Sequence, residues 1–460
     1  MLTPETDLHD VEALAARLTG DVVAPTDPAY DEARTGFILT ADLRPDLVAL
    51  PETAQDVVAI VEFARATGLK VVPQGTGHNC SPLGSDLSGA ILLKTSRMRG
   101  VTVDAERRVA RAEAGAWWID VTAAAHEHGL VALAGSSPDV GVVGYTLGGG
   151  VSWMVRKHGL SANHVVAIEL VTADGTLRRV DATHEPELFW ALRGGGGSFG
   201  VVTAIEVELL AEPELYAGFM LFPVERASEV LKTWRALTRT LPEEATSIGS
   251  ILHVPDMDGV PDMVRGRSFA RVELVFTGSE ADGAALLAPL RALGPEIDAF
   301  GMSDGIGLSK LHMDPEGAVP GTISDHLVLS SDLDDHGIDA MVAVAAQPGS
   351  PLVMYELRHA GGAAARSGDG HGAADALPGE FLAFGIGIPA VPELAALIPA
   401  HLGRIRDALA AYDTQRATLN FVEQPTDGRG MFSAEAYARL AAVRAQVDPE
   451  RMFVANHPVG

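Results

Sequence analysis

Three glycine-rich stretches in the first 200 residues constrain the fold of this chain more than any other feature. They are the turn Gly75-Thr-Gly-His78 after the apolar run Leu69 to Pro73, residues 134–150 (AGSSPDVGVVGYTLGGG), and the break Gly194–Gly197. Glycine permits backbone conformations that a Cβ disfavours, and successive N–H groups in such turns can converge on an anion. One isolated stretch predicts only a tight turn, or a turn with a solvated histidine. Three of them, each beside a predicted strand or helix end, favour a large ligand that carries phosphate.

Composition narrows the class of protein. The 460 residues are 47% hydrophobic and 21% charged, which is typical of a soluble globular enzyme with two or three domains. The formal net charge of −27 argues against nucleic acid as a partner and against docking on an anionic membrane surface. The acidic start MLTPETDLHD does not resemble a secretory signal, and no apolar run approaches the roughly 18 residues of a membrane span. We therefore expect a cytoplasmic protein.

The single cysteine, Cys80, excludes an intrachain disulfide framework and is expected to be a small buried thiol. No histidine or acid spacing predicts a metal site.

The hydrophobic pattern changes near Pro213. Before it, short strands alternate with helices, and the Asp174-Gly175 turn predicts a hairpin. After it, strands are predicted at Phe219–Phe222, Arg271–Phe276, Leu352–His359 and Phe381–Ile388, with helices at 227–240, 280–293, 338–346 and 392–412. Residues 360–379 are rich in Gly, Ala, Ser and Asp and predict a mobile loop. The second region is thus expected to be a sheet with helices on one face.

Several motifs, in their order along the chain, resemble one family. They are Pro73-Gln-Gly-Thr-Gly-His78, residues 140–150 (VGVVGYTLGGG), Asp174-Gly175, residues 187–202 (ELFWALRGGGGSFGVV), Asn420-Phe421, Asp448-Pro449 and Asn456-His-Pro458. The chain resembles the vanillyl-alcohol oxidase superfamily, with its p-cresol methylhydroxylase-type flavin domain, and within it the berberine bridge enzyme-like oxidases. The resemblance covers essentially the whole chain.

The resemblance implies an α+β fold in two parts. A FAD-binding domain of the p-cresol methylhydroxylase type would comprise residues 1–212 and 414–460, and an antiparallel-sheet substrate domain covered by helices would be inserted at 213–413. The flavin ring would lie between them. The implied cofactor-binding residues are Gly75, Thr76, Gly77, His78, Asn79, Leu83, Gly84, Ser137, Val140, Gly141, Gly144, Tyr145, Gly148, Gly149, Val202 and Asn456.

His78 matches the histidine that many relatives join to the 8α-methyl carbon of the flavin, so a covalent link through His78 is expected. A neutral imidazole nitrogen is a competent nucleophile near neutral pH. Bicovalent relatives carry a cysteine where this chain has Ser137, which cannot form a thioether. The resemblance therefore implies a single link.

The Tyr-x-Asn pattern, whose tyrosine helps deprotonate the substrate in many relatives, reads Thr418-Leu-Asn420 here. An alcohol oxidase needs a base, whereas a neutral amine largely does not. Candidate substitutes are Tyr355 and His359, which share one face of the strand Met354–His359 by alternation, and Tyr145 in the glycine-rich stretch. For each, the alternative is an ordinary sheet or core residue with its polar tip hydrogen-bonded or solvated.

The expected function is that of an FAD-dependent oxidoreductase, an oxidase that moves hydride from a small organic substrate to flavin N5 and passes the electrons to dioxygen. The substrate would be an amine, an alcohol or a secondary metabolite, and the missing tyrosine favours an amine. The alternatives are a dehydrogenase with another acceptor and an FAD-binding protein without turnover. A nicotinamide-binding Rossmann enzyme is disfavoured because no Gly-x-Gly-x-x-Gly follows a first strand. The oligomeric state stays open.

Overall fold

The structure is a computed structural model that describes residues 8–314 and 316–460. The elements before residue 213 are α1 Leu8–Ala15, β1 Asp21–Val23, α2 Tyr30–Arg34, β2 Arg44–Leu50, α3 Ala54–Thr67, β3 Lys70–Gln74, β4 Asp86–Lys94, β5 Val101–Asp104, β6 Val109–Glu113, α4 Trp118–His126, α5 Val142–Leu147, α6 Val155–His158, β7 Val165–Val171, β8 Leu177–Asp181, α7 Pro186–Leu192 and β9 Val201–Glu208.

The later elements are β10 Leu215–Pro223, α8 Ala227–Thr238, β11 Ala245–His253, β12 Ser268–Thr277, α9 Glu280–Leu286, α10 Ala288–Arg291, β13 Ile297–Asp298, β14 Gly301–Ser303, α11 Gly305–Lys310, β15 Ile323–Leu329, α12 Asp335–Ala345, β16 Met354–His359, β17 Phe381–Gly387, α13 Pro392–Leu409 and α14 Ala434–Val447.

A four-stranded sheet, in the order β1-β2-β4-β3, presents the first glycine turn. Strands β2, β4 and β3 are parallel, and α3 connects β2 to β3. Helix α3 begins where the Thr53 side chain accepts a hydrogen bond from the Asp56 N–H, and it ends at Gly68, whose φ of 72° is left-handed. The apolar side of α3 packs with Val71 and Ile91 in one core cluster. The end of β3, and with it the turn at Gly75, is thereby fixed.

A five-stranded antiparallel sheet, in the order β5-β6-β9-β7-β8, lies in the same half of the chain. Its core also holds residues of the C-terminal helix α14, including Leu440 and Val443. The tail returns to the four-stranded sheet, since Phe453 forms a parallel bridge with Val71. The last residues therefore pack with the first half of the chain.

An eight-stranded antiparallel sheet contains every strand from β10 to β17. Helices α8, α12 and α13 cover one of its faces, where Trp234 and Leu402 are buried with the apolar side chains of the strands. The other face carries Leu215, Ile248 and Val275, which pack against Trp153 and Met154 of the first half. This second face is the one that meets the glycine-rich region.

The predicted α+β class, with a helix-covered antiparallel sheet after a mixed first half, is confirmed. The boundaries at 212/213 and 413/414 stay a prediction. Four strands of the large sheet, β11, β13, β14 and β15, were not predicted, and the helix expected at 280–293 is two short helices with a break at Leu287. Residues 372–377, predicted to be mobile, are held by backbone hydrogen bonds to Trp190, Arg193 and Ala364. Cys80 is a buried free thiol, as expected, and burial raises its pKa.

Candidate functional site

The turn after β3, here called the His78 loop (residues 75–79), presents free backbone donors. The N–H groups of these residues donate to no acceptor among the described residues. All five residues are partly buried. Gly77 has a φ of 83°, and a Cβ there would lie 3.1 Å from Gly36 Cα and 3.2 Å from Phe37 N. The same backbone is anchored by the Phe37 N–H, which donates to Thr76 O at 3.0 Å. Such a loop is a ready cradle for an anion.

The His78 ring is held in one orientation. Its Nδ1 lies 2.7 Å from Thr76 Oγ1, and the ring stacks on Phe37 with centroids 3.5 Å apart. Its Nε2 lies 3.5 Å from Asp139 Oδ1, and both of these buried atoms lack a hydrogen-bond partner among the described residues. Burial raises the pKa of Asp139, but His78 and the Gly317 N–H, which donates to Oδ2 at 2.8 Å, outweigh it and keep that pKa below its usual range.

The second glycine-rich stretch runs beside this loop. Gly141 packs on the Thr76 side chain, and nothing lies within 4 Å of a Cβ built on Gly144. Val140 and Gly141 border α5, and Gly148 and Gly149 follow it. Any larger side chain at Gly148 would meet Asn420, because a Cβ at Gly148 would lie 2.4 Å from Asn420 Nδ2. The stretch therefore leaves open space on one side and packs tightly on the other.

The C-terminal segment closes the site through hydrogen bonds to both glycine stretches. Asn420 Oδ1 accepts from the Gly150 N–H at 2.8 Å, and its Nδ2 donates to Tyr145 O at 3.0 Å. Asn79 Nδ2 donates to Val422 O at 3.0 Å, and Asn456 Nδ2 donates to Asn79 O at 3.2 Å. Asn456 thus reaches the His78 loop, and its role in binding the cofactor stays a prediction.

These residues fit FAD. The unused donors of the His78 loop suit a pyrophosphate, and the buried atoms His78 Nε2, Asn79 Oδ1 and Asp139 Oδ1 lack partners that a polar cofactor could supply. The glycines give a flat ligand access to the backbone. Of the other residues expected to bind cofactor, Leu83 and Gly84 follow the loop in a short 3-10 turn, and Val202 is buried in β9.

Strand β16 presents the face opposite to the one we expected. The alternation is as predicted, but Tyr355 and Leu357 lie in the helix-covered core, so Tyr355 is corrected as a candidate base. Burial raises the pKa of Tyr355, so its phenol stays protonated near neutral pH and has no free phenolate to accept a proton. The physical reason is that α8, α12 and α13 cover the less polar set of side chains. Glu356 and Arg358 lie on the other face.

The other two candidate bases are engaged elsewhere. His359 Nε2 lies 2.8 Å from Arg156 Nη1 and 3.0 Å from Glu380 Oε1, and burial lowers its pKa to about 4. The Tyr145 ring packs edge-on against Trp118, and its hydroxyl lies 3.5 Å from Ser161 Oγ. Burial raises the pKa of Tyr145. Neither group belongs to the charged cluster that faces the glycine-rich stretch.

That charged cluster, here called the sheet cluster, was missed by the sequence reasoning. Its members are Arg271 and Glu273 on β12, His312 and Asp314 after α11, and Glu356 and Arg358 on β16. Arg271 Nη2 lies 3.0 Å from Glu273 Oε2, and His312 Nδ1 lies 3.0 Å from Glu273 Oε1. The usable signal was a pair of strands that each carry Arg and Glu two residues apart, which puts charges on one face of the sheet.

The sheet cluster touches the first half of the chain directly. Ser137 Oγ donates a hydrogen bond to Asp314 Oδ2, and Ser136 Oγ lies 3.5 Å from the same oxygen. The Arg358 guanidinium lies 5.4 Å from the centre of the Phe421 ring, next to Asn420. Ser137 occupies the position that bonds the flavin ring in bicovalent relatives. The cluster therefore lies where the resemblance puts the reacting end of the cofactor.

Thr418, at the position of the missing tyrosine, is buried. Its N–H donates to His326 Nε2 at 3.3 Å, and its hydroxyl has no hydrogen-bond partner among the described residues. Burial lowers the pKa of His326 to about 4, so its Nε2 is free to accept this bond at neutral pH. Thr418 also lines a cavity of about 870 Å³ that includes Gly148, Gly149 and Trp190.

Known proteins resemble this chain in sequence and in fold. Residues 45–181 match the FAD binding domain family. (R)-6-hydroxynicotine oxidase of Paenarthrobacter nicotinovorans is 29% identical over 463 residues, which cover 96% of this chain and 97% of that protein. Xylooligosaccharide oxidase of Thermothelomyces thermophilus is 33% identical over 208 residues, or 44% of this chain and 42% of that protein.

The chain is an FAD-linked oxidoreductase. Its fold is that of Physcomitrella patens BBE-like 1, with a TM-score of 0.83 and 19% identity over 98% of this chain and 99% of that one. The oxidoreductase has no helix, among the described residues, that is long and apolar enough to cross a membrane. Within the same part of the chain, no group of three or more His, Cys, Asp or Glu side chains is arranged to hold a metal ion.

Proposed function

We propose that this oxidoreductase is an oxidase of a small organic amine. The observation that carries the proposal is the contact between Ser137 and Asp314, which brings the glycine-rich FAD region against a wall containing three carboxylates. Carboxylates suit a substrate that becomes cationic as it is oxidised, as an amine does on conversion to an iminium. The full-length likeness to an amine-oxidising relative, (R)-6-hydroxynicotine oxidase, supports the same substrate class.

When bound, FAD accepts the hydride and passes the electrons to dioxygen. The residues of the protein hold the cofactor and orient the substrate. The His78 loop and Asn456 hold the cofactor, and Asn420 fixes the glycine-rich stretch against the C-terminal segment. Asp314 and Arg358 orient the substrate at the rim of the sheet cluster, with 32% and 15% of their side chains exposed.

Anaerobic mixing with (R)-6-hydroxynicotine and a panel of secondary amines tests this function. We expect bleaching of the flavin absorbance by at least one amine, and recovery within seconds once air is admitted, with release of hydrogen peroxide. Bleaching with slow recovery in air would indicate a dehydrogenase that uses another acceptor. If neither amines nor alcohols bleach the flavin, the chain is an FAD-binding protein without turnover.

We further propose that His78 is the single covalent attachment point of the flavin. Three features support it: the ring is clamped between Thr76 and Phe37, Asp139 faces its Nε2, and position 137 offers a hydroxyl and not a thiol. A carboxylate beside one nitrogen favours a proton there, which leaves the other nitrogen to act as nucleophile. Precipitation with trichloroacetic acid is expected to leave the yellow colour in the protein pellet. Yellow colour in the supernatant would show that the flavin is not covalently bound.

A further inference from the structure

His312 has no role in the function proposed so far, yet it lies at the centre of the sheet cluster. Only 2% of its side chain is exposed. Its Nδ1 lies 3.0 Å and 3.1 Å from the two carboxylate oxygens of Glu273. Its Nε2 lies 3.5 Å from Glu356 Oε2 and 3.8 Å from Asp314 Oδ1. Both His312 Nε2 and Glu356 Oε2 are buried without a hydrogen-bond partner among the described residues, so there is room for one more proton between these groups.

The charges of the sheet cluster balance when His312 carries that proton. The cluster has two arginines, three carboxylates and one imidazole, so its net charge is −1 with a neutral imidazole and 0 with a protonated one. Buried charge is costly unless it is compensated. A cluster that becomes neutral on gaining one proton is therefore suited to accept one. Asp314 is its most exposed carboxylate, with 32% of the side chain accessible, against 0% for Glu273 and Glu356.

We propose that Asp314, His312 and Glu273 form the path that takes the proton from the substrate, in place of the tyrosine that Thr418 replaces. This inference rests on the proposed function. The amine binds as its ammonium ion and gives up its N–H proton, which leaves the electron pair of that bond on nitrogen. As hydride leaves the substrate carbon, this pair forms the C=N bond of the iminium. The proton bonds to an Asp314 carboxylate oxygen and passes to His312 Nε2, while Glu273 accepts a hydrogen bond from Nδ1–H. It later returns to solvent through Asp314. Asp314 is the catalytic residue, and His312 and Glu273 act through it.

The electrostatics favour transfer in this direction. Burial raises the pKa of Asp314, but the charge of His312 and the hydrogen bond from Ser137 outweigh it and lower that pKa. Burial lowers the pKa of His312, but Glu273 and Asp314 outweigh it and raise that pKa. A proton that reaches Asp314 is therefore more stable on His312. The charged groups that face His312 are Arg271 and Glu273 from β12, Glu356 and Arg358 from β16, and Asp314 from its own loop.

A titration of the holoprotein tests the proton-holding step without turnover. The protein is labelled with ¹³C,¹⁵N-histidine, the His312 ring signals are assigned by their loss in H312Q, and pH is varied from 5 to 9. We expect the His312 midpoint to lie above the ordinary value of about 6.5. E273Q and D314N should each lower it, because each removes a neighbouring carboxylate charge. A midpoint at or below 6.5 in the wild type would overturn the proposal.

Anaerobic stopped-flow reduction by saturating (R)-6-hydroxynicotine tests the coupling to chemistry. The limiting rate of flavin reduction should rise with pH through the same midpoint. H312Q should lose this pH dependence, and its limiting rate should be about 10²-fold lower. H128Q, on the exposed turn after α4 and outside the sheet cluster, is the matched control and should keep this pH dependence. The same pH dependence of the limiting rate in H312Q as in the wild type would also overturn the proposal. If no amine reduces the flavin, the proposed substrate class fails, and the His312 midpoint alone decides whether the cluster holds the proton.

Discussion

Arg271 and Glu273 offer the sharpest test of the sheet cluster as a single charged unit. The two side chains are 2% and 0% exposed and lie 3.0 Å apart. We expect R271M and E273L each to cost about 3–5 kcal/mol, because each leaves a buried charge without its partner. The double variant removes one charge of each sign and leaves the net charge of the cluster unchanged, so its cost should be about 2 kcal/mol or less and not the sum of the two.

Thermal unfolding of the holoprotein, followed by circular dichroism at pH 7, measures these costs. At about 2–4 °C per kcal/mol for a domain of this size, each single variant should lower Tm by about 6–20 °C, and the double variant should recover most of that loss. Arg267 and Glu296 form the matched control pair, 2.7 Å apart but 44% and 39% exposed, so breaking it should cost less than about 1 kcal/mol. A double variant whose loss equals the sum of the single losses would refute the reasoning.

Three further outcomes are expected. G77A should lower the FAD content of purified protein, because a residue with a Cβ is strained at a φ of 83° and that Cβ would strike neighbouring backbone. The control G403A, with open space around it, should retain full FAD, and equal content in both variants would contradict this expectation. N420A should lower the free energy of unfolding in urea by about 2–4 kcal/mol, because it leaves the Gly150 N–H unpaired and removes the hydrogen bond to Tyr145 O, and a loss below 1 kcal/mol would contradict it. The pKa of His326 falls from about 6.5 in the unfolded chain to about 4 in the fold, so its contribution destabilises the protein as pH falls through that window, by on the order of 3 kcal/mol. H326Q should reduce the difference in urea midpoint between pH 7.5 and pH 4.5, and an unchanged difference would count against this account.

The cofactor half of the site could be predicted from the sequence because its constraints are local. A glycine with a φ of 83° next to His78 follows from the order of residues in the turn, and so does the open backbone of the second stretch. The resemblance assigned Asn456 to the cofactor site, but the pairing of Asn420 and Asn456 with these stretches was not predicted, since residues hundreds of positions apart carry no local signal of contact.

The substrate half could be predicted only in outline. Alternation placed Tyr355 and Glu356 on opposite faces of β16, but which face meets the first half depends on where α8, α12 and α13 pack. Strands β11 and β15 escaped prediction because small and polar residues interrupt their apolar pattern, as at Ser247 and Asp325. His312 lies in a loop, where no periodicity indicates the direction of a side chain.

The central claim is that His78 holds the flavin through a covalent bond, and the intact mass of the denatured chain tests it most directly. The wild type is expected to carry the mass of one FAD, and H78A none. C80S, two residues after His78, is the matched control and should keep the full increment. A wild-type chain at its bare polypeptide mass, with free flavin in the supernatant, would contradict the account, as would an H78A chain that still carries the increment.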